Sequence, residues 1–179
     1  MSPHILLQIG SDLYNTTFVD VDGRTAFTLC VIYRIPNKLV RLRREAPWAL
    51  QHRDIMGPSD AYFYLGPSEF PGYIVYGNTP QQPMMSVLQR KRASSTSRYF
   101  KSQGGKEFKW KLFPGHMECI HRKTVMAVYQ PNEVSPVFER NGISSMHYAN
   151  LTINRAGLPV VTEILTALLL IRIANSLGW

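Results

Sequence analysis

The sequence predicts one mainly β domain, an antiparallel β barrel or strongly curled sheet around a hydrophobic α-helix supplied by the C-terminal segment. Three observations predict it. Short runs of β-branched and aromatic residues recur along the first 153 positions, several with a period of two. Twelve Gly and twelve Pro are spread through the 179 residues, so turns are frequent and strands short. The pattern then changes after Gly157, where Ile164–Ile171 is apolar around nearly its whole circumference. A helix of that kind in a soluble protein has to be enclosed by protein. Residues 160–177 make roughly 27 Å of helix, and short strands can enclose it only by wrapping around it as a barrel or curling tightly over it.

The elements follow in order. Residues 17–33 read as a hairpin, with Asp22-Gly23 as its tight turn. Leu39–Arg43 alternates and reads as a strand. Residues 50–82, rich in Pro, Gly and aromatics, read as a loop-rich elaboration on the rim with one strand at Tyr73–Tyr76. Regular structure resumes at Met84–Leu88, and Arg90–Arg98 reads as an exposed loop. Gln103-Gly-Gly105 turns into Lys106–Leu112, where Phe108, Trp110 and Leu112 face one way and Glu107, Lys109 and Lys111 the other. Met117–Ile120 and Thr124–Tyr129 are strands joined at His121–Lys123, with weaker strand signals at Pro136–Glu139 and His147–Ile153. The central helix at about 159–177 has Pro159 in its first turn, Glu163 near its positive end, Arg172 toward its negative end and Gly178 as a cap. One domain over residues 1–179 is expected.

Charge narrows the partners. The net charge is +8. Residues 1–84 hold seven basic and seven acidic side chains, residues 126–179 three of each, and residues 85–125 ten basic and two acidic. The whole excess sits in that middle segment, which attracts anions: acidic phospholipid, an acidic protein surface or nucleic acid. Two cysteines, Cys30 and Cys119, cannot make a disulfide framework, and a reduced cytoplasmic compartment, with peripheral membrane attachment, is expected. The N-terminal apolar run is too short for a signal peptide. No transmembrane segment is expected, because Glu163 and Arg172 interrupt Leu158–Leu177.

Asn15-Thr16 with Asp22-Gly23, Ser97–Phe100 with Gly105–Lys111, Ala127–Tyr129 and the stretch from Leu151 through the apolar C-terminus resemble an uncharacterised fungal family. More distantly, they resemble the tubby C-terminal-like superfamily, which includes the LURP-one-related proteins and the phospholipid scramblases. The resemblance covers most of the chain outside residues 50–82. It implies a closed β barrel threaded by a hydrophobic helix and implies no activity. Tubby proteins bind phosphoinositides through basic side chains on the barrel wall, but no position here is carried over from them.

Motif by motif, chemistry finds little support. His116-x-x-Cys119-x-His121 has two ligand types, yet on a strand His116 lies opposite the other two, and a fourth ligand is lacking. A buried thiol between two histidines accounts for it. There is no Gly-x-Ser-x-Gly and no phosphate-cradling glycine loop, and the carboxylates are scattered. The expectation is a non-enzymatic module without cofactor or metal, recognising acidic phospholipid or phosphoinositide. The anion-binding candidates are Arg90, Lys91, Arg92, Arg98, Lys101, Lys109 and Lys111. Ser94 and Ser95 follow three basic residues and resemble a site for basophilic kinases. A protein interaction or structural module without a small ligand is the alternative, and nucleic-acid binding the next, since Tyr99, Phe100 and Trp110 could stack on bases.

Overall fold

The structure is a computed structural model that describes residues 3–92, 94–132 and 147–179. The strand signal at 136–139 lies outside the described residues. Among the described residues, twelve strands form one antiparallel sheet: β1 His4–Ile9, β2 Thr16–Asp20, β3 Thr25–Tyr33, β4 Lys38–Arg44, β5 Asp60–Leu65, β6 Pro71–Tyr76, β7 Gln82–Pro83, β8 Arg98–Lys101, β9 Glu107–Phe113, β10 His116–His121, β11 Thr124–Pro131 and β12 His147–Ile153. Short helices α1 (Ala46–Ala49) and α2 (Met84–Val87) precede the long α3 (Val161–Leu177), and a 3-10 turn at Arg155–Val160 leads into α3.

The spatial order is β7-β6-β5-β4-β3-β2-β1-β12-β11-β10-β9-β8. Two meanders, β1–β7 and β8–β12, are joined where β1 pairs with β12, from His4 opposite Ile153 to Ile9 opposite His147. The sheet is therefore open. β7 and β8 are its edges and, among the described residues, no ladder joins them, so the closed form of the expected barrel is not what forms.

Alternation builds the inner face. Leu6, Phe18, Phe27, Leu29, Val40, Leu42, Phe63, Phe108 and Trp110 are all essentially inaccessible. Leu112, the last apolar residue of the pattern in β9, is exposed at the strand end. At the Asp22-Gly23 turn, Gly23 takes φ +80°, a left-handed conformation that costs glycine little, and the Asp20 carboxylate accepts from the Asp22 and Arg24 backbone N–H groups.

Residues 50–82 carry more of the sheet than the sequence reading allowed. β5 and β6 are full strands. Ala61, Phe63 and Leu65 point into the core, and Tyr64 stacks on its cross-strand partner Tyr73 at 4.3 Å. Gly72 permits this pairing, since a Cβ there would lie 2.1 Å from the Tyr64 carbonyl oxygen.

α3 lies in the concavity, with Ile164, Leu165, Leu168, Leu169, Leu170 and Ile173 fully buried, as its all-round apolarity requires. Both meanders hold it. Arg44 of β4 donates to Thr162 Oγ1 at 2.9 Å, and Trp110 Nε1 of β9 donates to the Ile164 carbonyl at 3.3 Å. Arg172 donates to Gln8 Oε1 of β1 at 3.2 Å. Gly178, at φ +73°, ends the helix. The helical run Arg155–Leu177 is, contrary to the sequence expectation, long and apolar enough to cross a membrane. Most of its apolar window is buried inside the protein, which is compatible with the core helix of a soluble protein.

Candidate functional site

An open sheet leaves a seam between its edges, and one stripe of α3 lies beneath it, largely buried until the helix C-terminus. Glu163, Thr166, Ala167 and Leu170 face it near the helix start, and Ala174, Asn175 and Gly178 near the end. α2 bridges the seam, touching β6, β7 and β8. Cavities open on either side of it: one of about 510 Å³ between β6, β8 and the first half of α3, and one of about 810 Å³ beside the helix C-terminus. Both fall in the range of about 300–1,000 Å³ typical of small-ligand sites.

The larger cavity brings Arg90 and Arg98 together with Met84, Met85, Leu88 and Trp179. Arg98 lies opposite Trp110 in the β8–β9 ladder, which turns its side chain inward at the edge of the sheet. Burial, reinforced by the positive charge of Arg90, pulls the Arg98 pKa below the usual arginine value. Among the described residues, the ion pairs involve Arg24, Lys38, Lys91 and His116, and no carboxylate pairs with Arg90 or Arg98. The indole N–H of Trp179 is shielded from solvent and has no acceptor. Two guanidinium groups without carboxylate partners and thioether and aliphatic walls make an environment suited to an anion with an apolar portion.

The other sequence-predicted basic residues are dispersed. Lys91 pairs with Glu107 and lies 4.2 Å over the Tyr99 ring. Lys109 and Lys111 project from the outer face of β9, with Lys111 opposite Glu118 and 4.5 Å over Phe113. Lys101 stands at the rim of the smaller cavity, and Arg92 is exposed in the loop. The seven do not form one patch: Arg90 and Arg98 share a cavity, while Lys91 and Lys111 have acidic neighbours. Of the candidate base-stacking aromatics, Phe100 and Trp110 are in the core, where they cannot stack on bases. Ser94 is exposed, whereas Ser95 is half-buried and its hydroxyl accepts from the Ser97 N–H.

In the His116–His121 strand, Cys119 is fully buried and desolvation raises its pKa strongly, so it stays a thiol. His116 stacks on Phe113 and approaches Glu118, while His121 Nδ1 lies 2.7 Å from the Glu107 carbonyl oxygen. Among the described residues, no three His, Cys, Asp or Glu side chains gather into a metal-binding group.

Sequence reasoning missed Met84, Met85, Leu88 and Trp179 as wall residues and Glu163 as a cavity residue. One signal was available: Thr166 and Ala167 are the smallest residues of Ile164–Ile171, and both line the smaller cavity. Comparison of the chain with protein-family models, curated proteins and solved structures finds no match.

Proposed function

We propose that this protein is a non-enzymatic module that binds acidic phospholipid, phosphoinositides among them, by seating the anionic headgroup between Arg90 and Arg98 at the larger cavity. The observation that carries the reading is the placement of two arginines without carboxylate partners on one partly apolar cavity. A phosphate supplies several acceptors to guanidinium donors, and charge-assisted bonds of this kind are the stronger ones.

The surroundings favour a membrane over a free anion. The β3–β4 and β5–β6 turns lie at the same end of the sheet as the start of β8 and the C-terminus of α3. They present Tyr33, Ile35 and Phe70 at 59%, 78% and 71% exposure, beside the exposed Arg34, while Lys38 there pairs with Glu69. Apolar tips beside an exposed cation suit a headgroup layer, where a basic residue adds about 1 kcal/mol. A tubby-like arrangement is part of the same proposal, and the sheet, open at its β7 and β8 edges, departs from a closed barrel. A cytoplasmic protein attached peripherally to membranes is part of the same proposal.

The test is co-sedimentation with neutral and acidic vesicles at two salt concentrations, beside a nucleic-acid shift assay. Binding should require acidic lipid and fall with salt, because screening acts over about 8 Å at physiological ionic strength. Arg90→Gln with Arg98→Gln should remove most of it, while Lys109→Gln with Lys111→Gln should leave most of it. Equal binding to neutral vesicles, or tighter binding to RNA, would overturn the reading.

A further inference from the structure

The arginine cavity offers more hydrocarbon than a headgroup needs. Its walls include Met84 and Met85 of α2, Leu88 just after it, Ala174 from the last turns of α3 and the Trp179 indole. Much of this wall reaches water: Met85 is exposed, and Leu88 and Trp179 are half-buried. Leu88 and Trp179 also pack against the hydrophobic core, which fixes their side of the wall. The thioether side chains adapt to irregular shapes, so the methionine side can close around a flexible chain. Charged side chains enter the lining only as Arg90, exposed, and Arg98, half-buried at the edge of the sheet.

Apolar wall open to water, beside two guanidinium groups without carboxylate partners, is a surface that an anionic amphiphile serves better than water does. The negative end of α3 lies here too, so the anion has to be held by the arginines rather than by the helix. Two positive charges match a phosphate monoester, which carries about −1.5 to −2 at neutral pH, better than they match a carboxylate. A volume of about 810 Å³ leaves room for hydrocarbon once a phosphate is seated. We infer that this cavity binds a single-chain alkyl phosphate monoester, its phosphate accepting from Arg90 and Arg98 and its chain lying on Met85, Leu88 and Trp179. Each guanidinium carries several donors and no acceptor, so the pair can serve all the free phosphate oxygens at once.

Arg90 and Arg98 are the pair proposed above to hold the lipid headgroup, and the chain seat rests on that reading. The difference lies in where the hydrocarbon goes. A headgroup touched at a membrane surface leaves its chains in the bilayer and the cavity wall idle. A ligand taken up whole, as a free amphiphile or drawn from a bilayer, places its chain on that wall and gains affinity from it.

The experiment is calorimetric titration of the full chain at neutral pH with octyl phosphate, kept below its micelle concentration, and with octanol and glycerol phosphate, which each keep one half of it. Octyl phosphate should bind saturably, one per protein, and at least about tenfold tighter than either of the others. Arg90→Gln with Arg98→Gln should cost it about tenfold or more. Met85→Ser with Leu88→Ser should weaken octyl phosphate several-fold and leave glycerol phosphate unchanged. A chain-brominated octyl phosphate should quench Trp179, since Trp48 and Trp110 are buried in the core, and Trp179→Phe should remove the quenching. If the serine variant does not fold, the wild-type titrations and the quenching decide the matter alone. Octanol or glycerol phosphate binding as tightly as octyl phosphate, an unaltered octyl phosphate affinity in the arginine variant, or binding without quenching would overturn the inference. Vesicle binding that needs both arginines, without saturable octyl phosphate binding, would overturn the chain seat and leave the headgroup reading standing. Octyl phosphate binding without vesicle binding would do the reverse.

Discussion

Leu168→Ala tests whether the sheet encloses α3. Leu168 is fully inaccessible and lines neither cavity, so its side chain packs on the covered side of the helix. The substitution removes three carbon groups, a transfer loss of roughly 2.4 kcal/mol at about 0.8 kcal/mol per methylene. If neighbours held from both meanders cannot collapse, a residual void of about 60 Å³ adds roughly 1.4 kcal/mol at about 24 cal/mol per Å³. The expected loss is about 4 kcal/mol. For a domain of this size, that lowers Tm by about 8–16 °C at about 2–4 °C per kcal/mol. Urea denaturation followed by circular dichroism, with thermal melts alongside, measures it. Asn175→Ala, exposed on the same helix, is the control and should change stability by less than about 0.5 kcal/mol. A loss below about 1 kcal/mol for Leu168→Ala would refute the reasoning, because only an uncovered or freely collapsing helix tolerates the deletion so well.

Other positions give sharp expectations. Gly157→Ala should destabilise by at least about 1–3 kcal/mol in the same denaturation assay, since its Cβ would lie 2.4 Å from the Met126 carbonyl oxygen of β11. The raised pKa of Glu163 comes from desolvation, so the folded state holds this proton more tightly than the unfolded chain. Its contribution therefore weakens as pH rises above the ordinary glutamate value of about 4.3. Glu163→Gln should remove that loss, and the stability gap in favour of the variant should widen between acidic and neutral pH in parallel melts. Ser94→Glu with Ser95→Glu places negative charge in the loop that follows Arg90 and should weaken sedimentation with acidic vesicles several-fold, with Ser94, the exposed one, contributing more.

The chain itself determined the mainly β class, the buried C-terminal helix and several turns, because each is written in local chemistry. Alternation in Lys106–Leu112, Gly at the positive-φ turn after Asp22 and uninterrupted apolarity from Ile164 to Ile171 need no partner to be legible. Where local chemistry conflicts with placement, the sequence misleads. β1 hides because fully buried Gln8 occupies an inward position, held by the Tyr129 hydroxyl and Arg172, while Ile5, Leu7 and Ile9 face outward. β5 hides, and β6 shows only as Tyr73–Tyr76, because Gly66, Pro67, Pro71 and Gly72 punctuate the segment; those residues form a tight turn and a close backbone approach rather than a loop. Charge counting likewise found the basic segment, but only the folded sheet separates Arg90 and Arg98 from Lys91, with its Glu107 partner, and from Lys111, opposite Glu118. The seam belongs to tertiary structure alone. Whether the edges of a curled sheet meet depends on twist and strand pairing accumulated over all twelve strands, a sum that no local window of residues contains.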